Sequence, residues 1–253
     1  MALVDRYDGL LIDIDGVVLL GEEPLPGAVV ALAELAAAGR PYAFVTNNPR
    51  LAPGEQADLL RSFGIEVPEG RLVTSAQTLV SLILEGPGPG SPAVVIGTDS
   101  FRGQVEEAGI EPLPVDGWQR AESVMVSGHE ELTYGELRAA SMAAATRVPF
   151  GATGRDPTMP MPDGNWPGTG AILAAIETAS GREATVTGKP EPAIFEAGLD
   201  AIGRPGRVAM IGDRTDTDIA GAKAVGIDGI LVSSGTEAGD ADHLIAGLAD
   251  LVR

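Results

Sequence analysis

The chain has no cysteine. That absence removes disulfides, thiolate zinc sites and a cysteine nucleophile together. No apolar run reaches about 18 residues, so no transmembrane helix is expected. The first residues, Met1 to Arg6, lack the basic stretch and long apolar segment of a secretory signal. A cytoplasmic location is therefore the expectation. Positive charge is also scarce: 17 Lys and Arg face 36 Asp and Glu, a formal net charge of −19. Nucleic acid and anionic membrane surfaces suit such a chain poorly, and neither is expected as a partner. Among the cations lysine is the scarcer, with Lys189 and Lys223 alone. An acidic protein that handles an anionic substrate must offset its own field locally, with a metal, a lysine or helix N-termini.

What the chain does have is enough apolar material for a real core. It is 253 residues long and 44% hydrophobic, room for one large domain or two smaller ones. Short β-like runs alternate with amphipathic stretches, which argues for parallel sheets with crossover helices. Strands are expected at 9–14, 41–46, 93–96, 123–127, 147–152, 184–186, 207–211 and 229–232. Helices are expected at 27–38, 53–63, 76–85, 101–108, 133–146, 170–178, 190–202, 216–225 and 241–251. Several strands read as continuous apolar runs, as sheets covered on both faces do. The run Gly86-Pro87-Gly88-Pro89-Gly90-Ser91-Pro92 reads as a connection.

In open α/β sheets, ligands sit at the carboxyl ends of the strands. Polar residues there deserve the closest reading. Leu10-Leu11-Ile12-Asp13-Ile14-Asp15-Gly16 is an apolar run ending in two carboxylates two residues apart. Alternation along a strand would point Asp13 and Asp15 the same way, and two like charges side by side call for a cation. A calcium-loop reading fails, because its glycine would have to come sixth and Gly16 comes fourth. Phe44-Val45-Thr46-Asn47-Asn48 brings a hydroxyl and backbone amides to another strand end, a setting for phosphoryl oxygens or for a helix cap. Thr187-Gly188-Lys189-Pro190 holds a lysine between glycine and proline, suited to a phosphate or a carboxylate. Met210-Ile211-Gly212-Asp213 ends a further apolar run in an acid. Asp216 is explained by the helix dipole alone, which leaves Asp213 as the better metal ligand.

Taken together, Asp13-Ile14-Asp15-Gly16-Val17, Thr46-Asn47-Asn48, Gly188-Lys189-Pro190 and Gly212-Asp213-Arg214 with Thr217-Asp218 resemble the motifs of the haloacid dehalogenase superfamily of phosphatases. The resemblance covers nearly the whole chain. It is to the subgroup with a large cap inserted between the second and third motifs. The segment Arg155-Asp156-Pro157 to Gly170 is similar to the caps of pyridoxal phosphate, phosphoglycolate, glycerol phosphate and 4-nitrophenyl phosphatases. The fold this implies is α/β: a Rossmann-like core with a parallel sheet, from residues 1–78 and 187–253, plus an inserted α/β cap at 79–186.

The resemblance also implies roles. Asp13 is the nucleophile, forming an aspartyl-phosphate, and Asp15 is the general acid and then base. Mg2+ is held by Asp13, the carbonyl of Asp15 and Asp213. Thr46, Asn47 and Asn48 hold the phosphoryl group, with Asn47 also reaching toward the substrate. Lys189 stabilises negative charge, and Asp218 orients it or a metal-bound water. The loop 153–160, with Arg155, Asp156 and Met159, is the expected substrate edge. Met159 stands where pyridoxal phosphate phosphatases carry histidine, which weakens that substrate. His129 and His243 carry no expected role. The implied activity is hydrolysis of a small phosphomonoester such as glycerol phosphate, phosphoglycolate or 4-nitrophenyl phosphate. A nucleotide or pyridoxal phosphate phosphatase, a phosphomutase and a non-enzymatic phospho-receiver are the alternatives. A homodimer through the cap is the assembly that relatives suggest.

Overall fold

The computed structural model describes residues 2–48, 51–161, 163–233, 235 and 238–253. The chain divides into two compact units. The first comprises Met1–Asn48, Pro53–Thr74 and Lys189–Arg253; the second comprises Pro49–Ala52 and Ser75–Gly188.

The first unit is built on six parallel strands. Their order across the sheet is His243–Ile245, Asp228–Val232, Val208–Gly212, Gly9–Ile12, Tyr42–Thr46 and Leu72–Thr74. Gly9–Ile12 is central, with Ile12 opposite Ile211 on one side and Phe44 on the other. The chain leaves this strand in one direction and returns from the other, so the order reverses here. Such a switch point opens a crevice at the carboxyl ends of the strands.

The two faces of the sheet sort the side chains by alternation. Leu10, Ile12, Phe44 and Ile211 belong to one buried cluster with Ala28, Leu32 and Leu35 of the helix Ala28–Ala37. Leu11, Val45 and Met210 belong to the other, with Phe195 and Leu199 of the helix Pro192–Ala201 and Ala222 of the helix Ala220–Ala224. Burial on both faces is what a strand without polar alternation requires.

Two expected helices differ in the structure. The 241–251 segment, rich in helix formers, instead supplies the edge strand His243–Ile245 and a 3-10 turn at Leu248–Asp250. Pairing with Ile230–Val232 satisfies its backbone and buries Ile245, which outweighs local propensity. The 216–225 segment divides into a π-helical turn, Thr215–Ile219, and the short α-helix Ala220–Ala224. The strand Leu72–Thr74 has no counterpart among the expected strands.

The second unit carries five parallel strands in the order Thr185–Val186, Phe150–Ala152, Ser123–Val126, Pro92–Ile96 and Glu111–Pro112. Helices Ser75–Glu85, Asp99–Glu107, Tyr134–Ala145 and Thr169–Ser180 accompany them. Thr133 and Glu136 form a reciprocal capping box that starts Tyr134–Ala145. The last three residues of the expected loop 153–160 lie in a strand: Thr158–Met161 pairs antiparallel with Gly164–Pro167, setting Met159 opposite Trp166. Among the described residues no helix is long and apolar enough to cross a membrane.

Phe195 is fully buried between the central strands and Gly221. Phe195→Ala should cost about 3–5 kcal/mol. Urea unfolding will read this as a lower midpoint at unchanged slope, and an unmoved midpoint would contradict the packing described.

Candidate active site

Alternation carried one step past the central strand puts Asp13 on the Leu11 face. There the helices Pro192–Ala201 and Ala220–Ala224 pack, and the segments leading into them deliver Lys189 and Asp218. The Lys189 Nζ lies 2.7 Å from Asp13 Oδ1 and 2.7 Å from Asp218 Oδ1. All three side chains are buried, Asp218 completely. Burial pulls the lysine down, yet the two carboxylates outweigh it and hold the ammonium charged well above its ordinary range. Asp13 is pushed up by burial and by Asp218, against the pull of Lys189. One cation is thus shared by two buried acids. Asp213, whose outer side reaches solvent, is likewise pushed up, by desolvation of its inner side and then by Asp218.

Two glycines make this convergence sterically feasible. Gly16 has φ +80°, and a Cβ there would run into the Asp213 carboxylate. A Cβ on Gly212 would strike the Asp218 side chain. The π-helical turn after Gly212 completes the approach: Asp218 N donates to Arg214 O at 3.0 Å, and Asp218 Oδ2 accepts from Arg214 N at 3.1 Å.

The alternation argument does not reach Asp15, because the strand is shorter than the expected 9–14. The strand ends at Ile12, and the Ile14 carbonyl accepts from the N–H groups of Val17, Val18 and Leu19. That turn breaks the two-residue period. Asp15 is exposed, where its Oδ2 accepts from Asn48 Nδ2 at 3.1 Å. Asp218, rather than Asp15, joins Asp13 and Asp213 in the carboxylate cluster. Oxygens of these three residues lie within 4.8 Å of one another.

This donor set fits a hard divalent cation. Three clustered acids have only one lysine against them. Asp218 is already committed to Lys189 and Arg214, whereas Asp13 spends only Oδ1, on Lys189 and on Ile14 N–H. Among the described residues Asp13 Oδ2 takes no hydrogen bond. A cavity of about 500 Å³, lined by Gly16, Val17, Leu25, Val232 and Leu248, opens beside Asp213.

Thr46, buried at the end of its strand, accepts the Asn48 N–H at Oγ1, 3.0 Å away. Asn47 turns its side chain to Lys189. Its Nδ2 donates to Lys189 O at 3.0 Å and its Oδ1 accepts from Lys189 N at 2.8 Å. Residues 142 apart in sequence share that contact, and no local pattern announces it.

In the second unit, Arg155 makes a two-pronged pair with Glu177 at 2.9 and 2.8 Å. Glu177 also accepts the Ala184 N–H, and Arg155 first among its partners holds its carboxyl below the usual range. The guanidinium thus fastens a loop to the helix Thr169–Ser180. Asp156 and Met159 are partly exposed nearby in sequence. His129 lies 3.4 Å from Glu136, and His243 packs edge-on against Tyr7.

Two family models match this chain: haloacid dehalogenase-like hydrolase over residues 10–111 and HAD-hydrolase-like over residues 186–252. Human chronophin is 36% identical, across 99% of this chain and 90% of its own length. The solved p-nitrophenyl phosphatase of Archaeoglobus fulgidus superposes with a TM-score of 0.89 at 29% identity, covering 97% of this chain and 98% of that one. The glycerol phosphate phosphatase of Mycobacterium tuberculosis in complex with magnesium gives 0.88 at 30% identity, covering 100% of this chain and 78% of that one.

Removing the shared cation leaves two buried acids facing each other. Lys189→Met should therefore destabilise the fold by about 3–5 kcal/mol. Adding Asp218→Asn to that variant should recover part of the loss in thermal unfolding under chelator. No recovery would show that the repulsion is not what the lysine relieves.

Proposed function

The chain belongs to the haloacid dehalogenase-like hydrolases, and we propose that it is a magnesium-dependent phosphatase acting on small phosphomonoesters through an aspartyl-phosphate on Asp13. The observation that carries the reading is the Asp13 carboxylate, buried at the switch-point strand end, with Lys189 on one oxygen and Asp213 close by. The relatives named p-nitrophenyl and glycerol phosphate phosphatases support 4-nitrophenyl phosphate or glycerol phosphate as the substrate type, and phosphoglycolate is a small phosphomonoester of the same kind.

Magnesium held by Asp13, the Asp15 carbonyl and Asp213 would neutralise the acids and polarise the phosphoryl oxygens. The remaining work falls to the protein. An Asp13 oxygen attacks phosphorus; the bond from phosphorus to the ester oxygen breaks, and Asp15 gives that oxygen its proton. Asp15 then takes a proton from water as the water attacks phosphorus. Inorganic phosphate leaves and the Asp13 carboxylate is restored. Thr46 and the Asn47 amide hold phosphoryl oxygens, with Asn48 beside Asp15 at the rim. Lys189 favours the ionised form of Asp13 against the opposing effect of burial, and faces the negative charge of the transferring group. Residues 79–186 serve as the substrate-selecting cap, with Arg155, Asp156 and Met159 at its substrate edge. Met159 there disfavours a pyridoxal ring, which gains from a polar partner.

Asp13→Asn should abolish magnesium-dependent hydrolysis of 4-nitrophenyl phosphate while leaving circular dichroism unchanged; retained turnover removes Asp13 as nucleophile. Asp15→Asn should slow glycerol phosphate, a poor leaving group, more than 4-nitrophenyl phosphate. Equal losses on both would remove Asp15 as the acid.

A further inference from the structure

Lys189 has no secondary structure to hold it. It lies between the strand Thr185–Val186 and the helix Pro192–Ala201, and Pro190 after it has no N–H to give. Yet its ammonium must meet two carboxylates at 2.7 Å each. Something must fix its main chain. Among the described residues, the only hydrogen bonds to the Lys189 N–H and C=O come from the Asn47 carboxamide.

From this we infer that Asn47 is a positioning residue: its side chain sets the Lys189 backbone, and through it the ammonium against Asp13, while its own main chain stays in the phosphate cradle after Thr46. The inference rests on the phosphatase reading for its kinetic consequence, but not for the clamp itself. Donor and acceptor of one carboxamide bracket one residue's C=O and N–H, a match that asparagine's side chain makes and others do not. Aspartate keeps the acceptor and loses the donor. Glutamine is one methylene too long, and alanine loses both arms. The side chain is therefore committed to Lys189 rather than to the substrate. One residue thereby ties the phosphate-binding turn to the charge that faces the nucleophile, so neither moves alone.

The scarcity of lysine makes the test clean. Labelling with 15N-lysine gives amide signals from Lys189 and Lys223 only, and Lys223, in the helix Ala220–Ala224, is the internal reference. In the full-length protein, Asn47→Ala should speed hydrogen exchange at the Lys189 amide several-fold while the Lys223 amide is unmoved. It should also lower kcat for 4-nitrophenyl phosphate by about 100-fold with KM little changed. Exchange at Lys189 as slow as in the parent overturns the inference, whatever the activity does. A raised KM with kcat intact overturns it in favour of direct substrate contact. If Asn47→Ala does not fold, Asn47→Leu, close in shape and lacking both arms, is read in the same two ways. A parent protein that hydrolyses no phosphomonoester defeats the phosphatase reading alone, since the exchange measurement still judges the clamp.

Discussion

A single ammonium, buried between Asp13 and Asp218, is the contact on which the site depends. Removing three charged groups from water is expensive, and their mutual attraction repays that cost only in close, well-held geometry. The protein meets that condition from several directions. Gly212 clears the way for Asp218, the π-helical turn fixes it on Arg214 N, and Asn47 holds the main chain of Lys189. Each is a local departure from regular structure, and all three serve one contact. Concentrated irregularity in an otherwise regular sheet is what a functional site looks like.

The fold was legible where periodicity is strong. Continuous apolar runs such as Leu10 to Ile12 and Val208 to Ile211 mark strands covered on both faces, and their carboxyl ends mark the crevice. The sequence was misleading where local propensity and tertiary pairing disagree. The stretch around His243 to Leu251 is composed like a helix, but the open edge of Asp228–Val232 draws it into the sheet. Propensity cannot see an unpaired edge elsewhere in the fold.

The site shows the same division. Asp13, Thr46 and Asp213 are legible because each ends a strand or follows directly on one. Asp218 is expected to orient the lysine or a metal-bound water, but its membership of the carboxylate cluster depends on the turn after Gly212. Alternation does not set the direction of Asp15, because the strand ends at Ile12, two residues short of the expected bound. The Asn47 contact with Lys189 was invisible, since it has no sequence period and spans 142 residues. The pair of Arg155 with Glu177, 22 residues further on, is likewise not announced by any local pattern.

The strand order has a consequence for how the molecule comes to exist. Gly9–Ile12 lies between Tyr42–Thr46 and Val208–Gly212, so one of its flanks stays unpaired until most of the polypeptide has been synthesised. Ser75–Gly188, by contrast, is nearly self-contained along the chain and can settle while the rest is still emerging. During translation the nascent chain thus carries an exposed apolar strand edge beside a finished neighbour, and closure of the central sheet waits on residues near the carboxyl terminus. Its reliance on distant contacts predisposes this half to slow folding and makes it the part most in need of protection from aggregation.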